Sequence, residues 1–135
     1  MSTIGAGRRM RVKRQLKGLF MEPDCIFCRI AARKAQAAVL YEDEHCLVFK
    51  DTNPQAPVHL LVIPRKHIAS LNEDLSRDAW LLGHLLTVAA RAAREHEVDG
   101  TGFRTVINTN REAGQTVYHL HIHVLGGRRL HWPPG

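Results

Sequence analysis

No run of this sequence approaches the roughly twenty consecutive apolar residues that a membrane-spanning helix requires, so a membrane partner is not expected. The first 21 residues also lack an apolar stretch long enough for the core of a secretion signal, and they carry Gly5, Gly7 and Gly18. Acidic residues are missing there too. Arg8, Arg9, Arg11, Lys13, Arg14 and Lys17 stand unopposed before Met21. Setting those six aside leaves 13 basic against 13 acidic residues, so the net charge of +6 belongs to this segment and the rest is neutral. A nucleic-acid binder needs its basic surplus on the folded domain, where phosphates are neutralised, so no polynucleotide partner is expected. Residues 1–21 are expected to be a basic, disordered tail; an upstream extension of a start at Met21, or an anionic-surface anchor, are the other readings.

Cysteine is scarce. Three residues are an odd number, and without a secretion signal a reducing, cytoplasmic setting is expected. In that setting Cys25-Ile-Phe-Cys28 reads as a metal or redox element, not a structural disulfide. Cys46 falls in an apolar run and reads as a buried core thiol. There are no internal repeats, and 135 residues suffice for one core.

Periodicity supplies the elements. Ile26, Phe27, Ile30 and Ala31 recur at helical spacing, so a short helix is expected from an N-cap at Asp24. Strands are expected over 39–41, 46–49 and 58–63, the last stopped by Pro64, with a Pro-rich loop over 51–57. A helix over 70–95 is expected to bury Trp80, Leu81, Gly83, His84, Leu85, Val88 and Ala92 as one stripe. Strands over 103–108 and 117–125 follow, separated by a polar loop with Gly114. This order predicts an α+β fold, a five-stranded antiparallel sheet with two helices.

His119-Leu-His121-Ile-His123-Val-Leu125 carries the chemistry. Side chains alternate along a strand, so the histidines share one face and Leu120, Ile122 and Val124 the other. Neighbouring imidazoles suppress one another's protonation and stay available near neutral pH. Three explanations are open: a chance cluster, a catalytic metal site, and group transfer through a histidine nitrogen.

The stretch resembles the signature of the histidine-triad nucleotide-binding (HIT) family, in which three histidines alternate with apolar residues. Gln55-Ala-Pro-Val-His59, Val62-Ile-Pro-Arg-Lys-His67 and Ala113-Gly-Gln-Thr-Val-Tyr-His119 agree with it. The terminal Trp132-Pro-Pro-Gly135 is similar to the Hint branch, the purine nucleoside phosphoramidases. The resemblance runs over residues 24–135, and residues 22–135 are expected to form one histidine-triad domain.

What the resemblance implies is specific. His121 would attack the α-phosphorus of a purine nucleotide substrate, giving a nucleotidyl-histidine that water hydrolyses. His123 would bond a non-bridging oxygen, and His59 would complete the proton-handling set. Asn108, the Gly114 backbone and the Thr116 hydroxyl would hold the phosphate. Ile26, Phe27, Ile30, Phe49 and Leu61 would form the base slot, and Asp51 would accept from the ribose hydroxyls. Thr52 stands where the family commonly has an aliphatic residue. Cys25, Cys28, His67 and His119 would close a structural zinc site, and no organic cofactor is implied. A homodimer with a ten-stranded sheet would bring Trp132 near the partner's active site.

Overall fold

The computed structural model describes residues 22–135, so the expectation for a tail over 1–21 falls outside the described residues. Eight elements follow in order. Helix α1 is Ile26–Ala31, β1 is Val39–Glu42, β2 is Cys46–Lys50 and β3 is Val58–Pro64. Helix α2 is Ala79–Glu95, β4 is Phe103–Val106, a 3₁₀ turn spans Arg111–Ala113, and β5 is Ile122–Gly126. The strands form one antiparallel sheet in the order β1-β2-β3-β5-β4, the expected α+β architecture.

The sheet has two covered faces. On one, Val48, Leu60, Val62, Ile122 and Val124 pack with Leu85, Val88, Ala89, Ala92 and Ala93 of α2. On the other, Leu47, Phe49, Leu61 and Ile63 pack with Phe27 and Ile30 of α1. Period-2 alternation in β2 and β3 sends successive side chains to opposite clusters, which is why both strands are buried nearly throughout. The strand order puts β5, with His123, beside β3, with His59. Gly126 is needed where β5 ends, because a Cβ there would lie 2.7 Å from the Val98 Cβ.

Four expectations are corrected. Helix α2 begins at Ala79, not at residue 70. Ser70 and Asp74 turn their oxygens onto the amides of Asn72 and Ser76, so local side-chain bonds compete with the helix. The buried face of α2 also excludes Trp80, which is 63% exposed and stacks on His84 one turn later, with ring centroids 5.0 Å apart. The α1 N-cap is Cys25, not Asp24, and its Sγ accepts from the Cys28 amide at 3.3 Å. Strands β4 and β5 are shorter than expected, and β5 begins only at Ile122 because the residues before it bond to the segment after β3 instead of a ladder. The Leu120 amide donates to the Ile68 carbonyl at 2.6 Å. Side-chain alternation survives: Leu120 joins Ile122 and Val124 in the α2 core, while His119 and His121 both meet Phe27 on the opposite face.

Candidate active site

A cavity of about 500 Å³ opens between α1, the β2–β3 loop and the start of β5. Ile26, Phe27, Ile30, Phe49 and Leu61 form its apolar wall, and Asp51, His59, Thr116, His121 and His123 its polar one. Phe27 meets Phe49 edge-on at 5.5 Å and His121 at 5.2 Å, so one aromatic ring backs both walls. Sequence reasoning missed Gln36, Ala37, Asn53, Gln55 and Val117, which line the same space. Asn108 and Gly114 are not on this wall, and neither is Trp132, which is 80% exposed beside the Arg104 guanidinium.

The hydrogen bonds fix the imidazole tautomers. His121 Nδ1 lies 2.7 Å from the His119 carbonyl oxygen, which can only accept. Nδ1 therefore carries the proton, and Nε2 keeps its lone pair. The Gln55 amide donates to His59 Nδ1 at 2.9 Å, so the His59 proton is on Nε2. That N–H donates to His123 Nδ1 at 2.9 Å, with the Asp51 carboxylate 3.3 Å away, and His123 is left with its proton on Nε2. Neither His121 Nε2 nor His123 Nε2 has a protein partner among the described residues. One face of the cavity thus offers a free imidazole lone pair beside an N–H donor.

Burial favours the neutral forms of His59 and His123. Burial, then the neighbouring His121 and His59, push His123 down to about 4, against the pull of Asp51. Burial lowers His59 as well, again opposed by Asp51. Gln115, buried and missed by the sequence reading, anchors the loop leading into β5. Its Nε2 donates to the carbonyls of Ala69 (2.8 Å) and Val117 (3.2 Å), and its Oε1 accepts from the Asn110 amide (2.8 Å).

Behind the cavity lie Cys25, Cys28, His67 and His119, whose ligand atoms all fall within 4.8 Å of one another. Sγ of Cys25 is 3.3 Å from His119 Nδ1, and Sγ of Cys28 is 3.3 Å from His67 Nδ1 and 3.6 Å from His119 Nδ1. A tetrahedral ion with bonds of about 2.3 Å to sulfur and 2.0 Å to nitrogen separates such atoms by about 3.5 Å, so the four residues fit a metal ion. His119 Nε2 donates to the Pro64 carbonyl at 2.8 Å, which aims the Nδ1 lone pair at the sulfurs. Burial, partly offset by the Glu22 amide, raises the Cys28 thiol to about 12, and burial lowers His119 to about 4.

The sequence model of the HIT domain matches residues 32–130. The chain belongs to the HIT family. An uncharacterized HIT-like protein of Synechococcus elongatus is 57% identical over 116 residues, 85% of this chain and all of that protein. A HIT family hydrolase from Legionella pneumophila has 46% identity and a TM-score of 0.81, over 83% of this chain and 100% of that one. A Zn-bound histidine triad family protein from Mycobacterium smegmatis has 36% identity and a TM-score of 0.67, over 78% of this chain and 76% of that one.

Within this HIT domain two further clusters need a reading. Asp51, His59 and His123 also bring ligand atoms within 4.8 Å of one another. The Gln55 amide denies them a metal, because it keeps the proton on His59 Nε2 and leaves no lone pair there. Among the described residues, no cluster of three or more potential metal ligands holds two of the three triad histidines. Asp43, Cys46 and His84 form the other cluster. Asp43 accepts from the amides of His45 (2.7 Å) and Cys46 (2.9 Å), from Tyr41 Oη (2.9 Å) and from His84 Nε2 (2.7 Å). Burial opposes its ionisation, yet these donors hold the carboxyl below its usual range, and the cluster is a clamp between the β1–β2 turn and α2. Cys46 is the expected core thiol, raised to about 12 by burial. No helix among the described residues is long and apolar enough to cross a membrane.

Proposed function

We propose that this HIT protein is a hydrolase that cleaves the P–N bond of purine nucleoside 5′-phosphoramidates, adenosine favoured, through a covalent nucleotidyl-His121. The observation that carries the reading is the His121 ring. Its Nδ1–H is tied to the His119 carbonyl, and its unpartnered Nε2 belongs to a residue of the cavity wall. Attack by Nε2 forms a histidine N–P bond as the substrate's own P–N bond breaks, and the amine leaves with a proton taken from solvent. Water then cleaves the N–P bond and releases AMP or GMP. Imidazole suits both steps, being a nucleophile when neutral and a good leaving group from phosphorus when reprotonated.

The other residues take roles that follow from their chemistry. His123 Nε2–H donates to a non-bridging oxygen, and the His59–His123 bond passes proton demand on toward Asp51. Thr116 contributes its hydroxyl to the phosphate, with Asn108 and the Gly114 backbone behind it in the same loop. Asp51 accepts from the ribose hydroxyls, and the apolar wall holds the base. Cys25, Cys28, His67 and His119 hold a structural zinc, which would supply a fixed cross-link between α1 and the strand leading to His121. The donor set and its spacing support zinc, and so does the metal in the mycobacterial relative. A homodimer would let Trp132 of one chain approach the cavity of the other.

The test is turnover of a fluorogenic adenosine phosphoramidate by wild type and His121→Ala, with alkaline-quench trapping of labelled enzyme. Wild type should form an acid-labile, alkali-stable phosphorus–nitrogen adduct that the variant lacks. Retention of more than about a tenth of the activity by the variant would show that another group is the nucleophile.

A further inference from the structure

The part of the cavity wall supplied by α1 and the chain entering β1 is apolar, with one exception. His121, His123 and Thr116 belong to β5 and its approach, while Ile30, Gln36 and Ala37 belong to α1 and the chain entering β1. In the sheet order β5 and β1 are three strand spacings apart, roughly 14 Å. A nucleotide with its phosphorus at His121 therefore extends its base toward Gln36. Gln36 is the one side chain with hydrogen-bonding capacity that α1 and the chain entering β1 contribute to the lining. Its neighbours Ala35, Ala37 and Ala38 are too small to occupy it. Among the described residues its carboxamide makes no hydrogen bond, and it stands on the rim shared with a second depression lined by Arg33 and Ala35–Val39 residues.

We propose that Gln36 determines base specificity, its carboxamide hydrogen-bonding the 6-position edge of a purine held in the apolar slot. This inference rests on the proposed nucleotide chemistry of the cavity. An amide offers one acceptor and one donor group, the pattern that pairs side by side with an adenine amino group and its adjacent ring nitrogen. Rotated by half a turn, it presents the same pair to the O6 and N1–H of guanine. A base lacking a 6-substituent can satisfy only one of the two groups.

The experiment is calorimetric binding of AMP, GMP and purine riboside 5′-monophosphate, which has hydrogen at position 6, to wild type, Gln36→Ala and Gln36→Glu. Wild type should bind AMP about fivefold more tightly than the 6-hydrogen analogue, the worth of one added hydrogen bond. Gln36→Ala should erase that gap. Gln36→Glu, which only accepts, should weaken AMP by about tenfold, because its second oxygen cannot donate to the adenine ring nitrogen and faces that nitrogen's lone pair. An AMP-to-analogue ratio that is the same in wild type and Gln36→Ala overturns the assignment while leaving the proposed reaction standing. Failure of wild type to bind any of the three nucleotides overturns the reaction itself.

Discussion

Acidification should destabilise this fold through His123 by an amount that can be worked out. The ring is held at about 4, against 6.5 for an unperturbed histidine, chiefly by burial. A group whose folded value is depressed prefers to take its proton in the unfolded chain. Its contribution is therefore complete above the unfolded value and is lost as pH falls through the window from 6.5 toward 4. Between pH 7 and pH 5 the difference in proton binding by these two states amounts to about 2 kcal/mol. That is a large part of the 5–15 kcal/mol by which domains of this kind are stable.

Other groups titrate in the same range, His59 and His67 among them, so the total fall is uninformative by itself. The useful quantity is a difference of differences. Wild type and His123→Gln, which cannot titrate, would be unfolded in urea at both pH values and followed by far-ultraviolet circular dichroism. Tryptophan fluorescence is a poor probe here, because Trp80 and Trp132 are 63% and 80% exposed in the folded state. Wild type should lose about 2 kcal/mol more than the variant between pH 7 and pH 5. Equal losses would refute the reasoning, since burial of a neutral His123 would then carry no linkage.

Protein purified without chelators should hold close to one zinc per chain by elemental analysis. The Cys25→Ser, Cys28→Ser double variant should lose the metal and melt lower while keeping part of its activity, because His121 is not a ligand; a metal-free wild type would count against the site. Gln115→Ala removes three hydrogen bonds and leaves the Asn110 amide and Ala69 carbonyl unmatched, which should cost about 2–3 kcal/mol. Urea denaturation would check it, and a loss below about 0.5 kcal/mol would mean that water replaces the amide.

Much of this site is legible in the sequence because strand alternation is a rigid rule. It sends His119 and His121 to one face and Leu120 and Ile122 to the other even where no ladder forms, since the extended backbone alone dictates it. The start of α2 is less legible, because Ser70 and Asp74 are compatible with either a helix or a turn and local side-chain bonds decide. Trp80 misleads for a different reason. Its hydropathy places it in the apolar stripe, but the first turn of α2 overlaps the β1–β2 turn, where His45 meets the indole at 4.7 Å. Gln36 and Gln115 are invisible to periodicity, since one is recognised by what it lines and the other by long-range backbone partners.

The two sites proposed for this chain share more than a strand. His119 turns its ring nitrogen Nδ1 to the cysteine sulfurs and its backbone carbonyl to His121 Nδ1. The ring and the carbonyl belong to one residue, so anchoring His119 holds in one place both the sulfur contact and the acceptor that sets the tautomer of His121. Phe27 adds a second link, lying between Cys25 and Cys28 in the chain and edge-on to both rings at 5.9 and 5.2 Å. Neither link passes a ligand bond to His121, whose Nε2 stays free for chemistry. An architectural cluster and a nucleophile can therefore occupy adjacent same-face positions without competing, which the Nδ1–carbonyl bond makes possible.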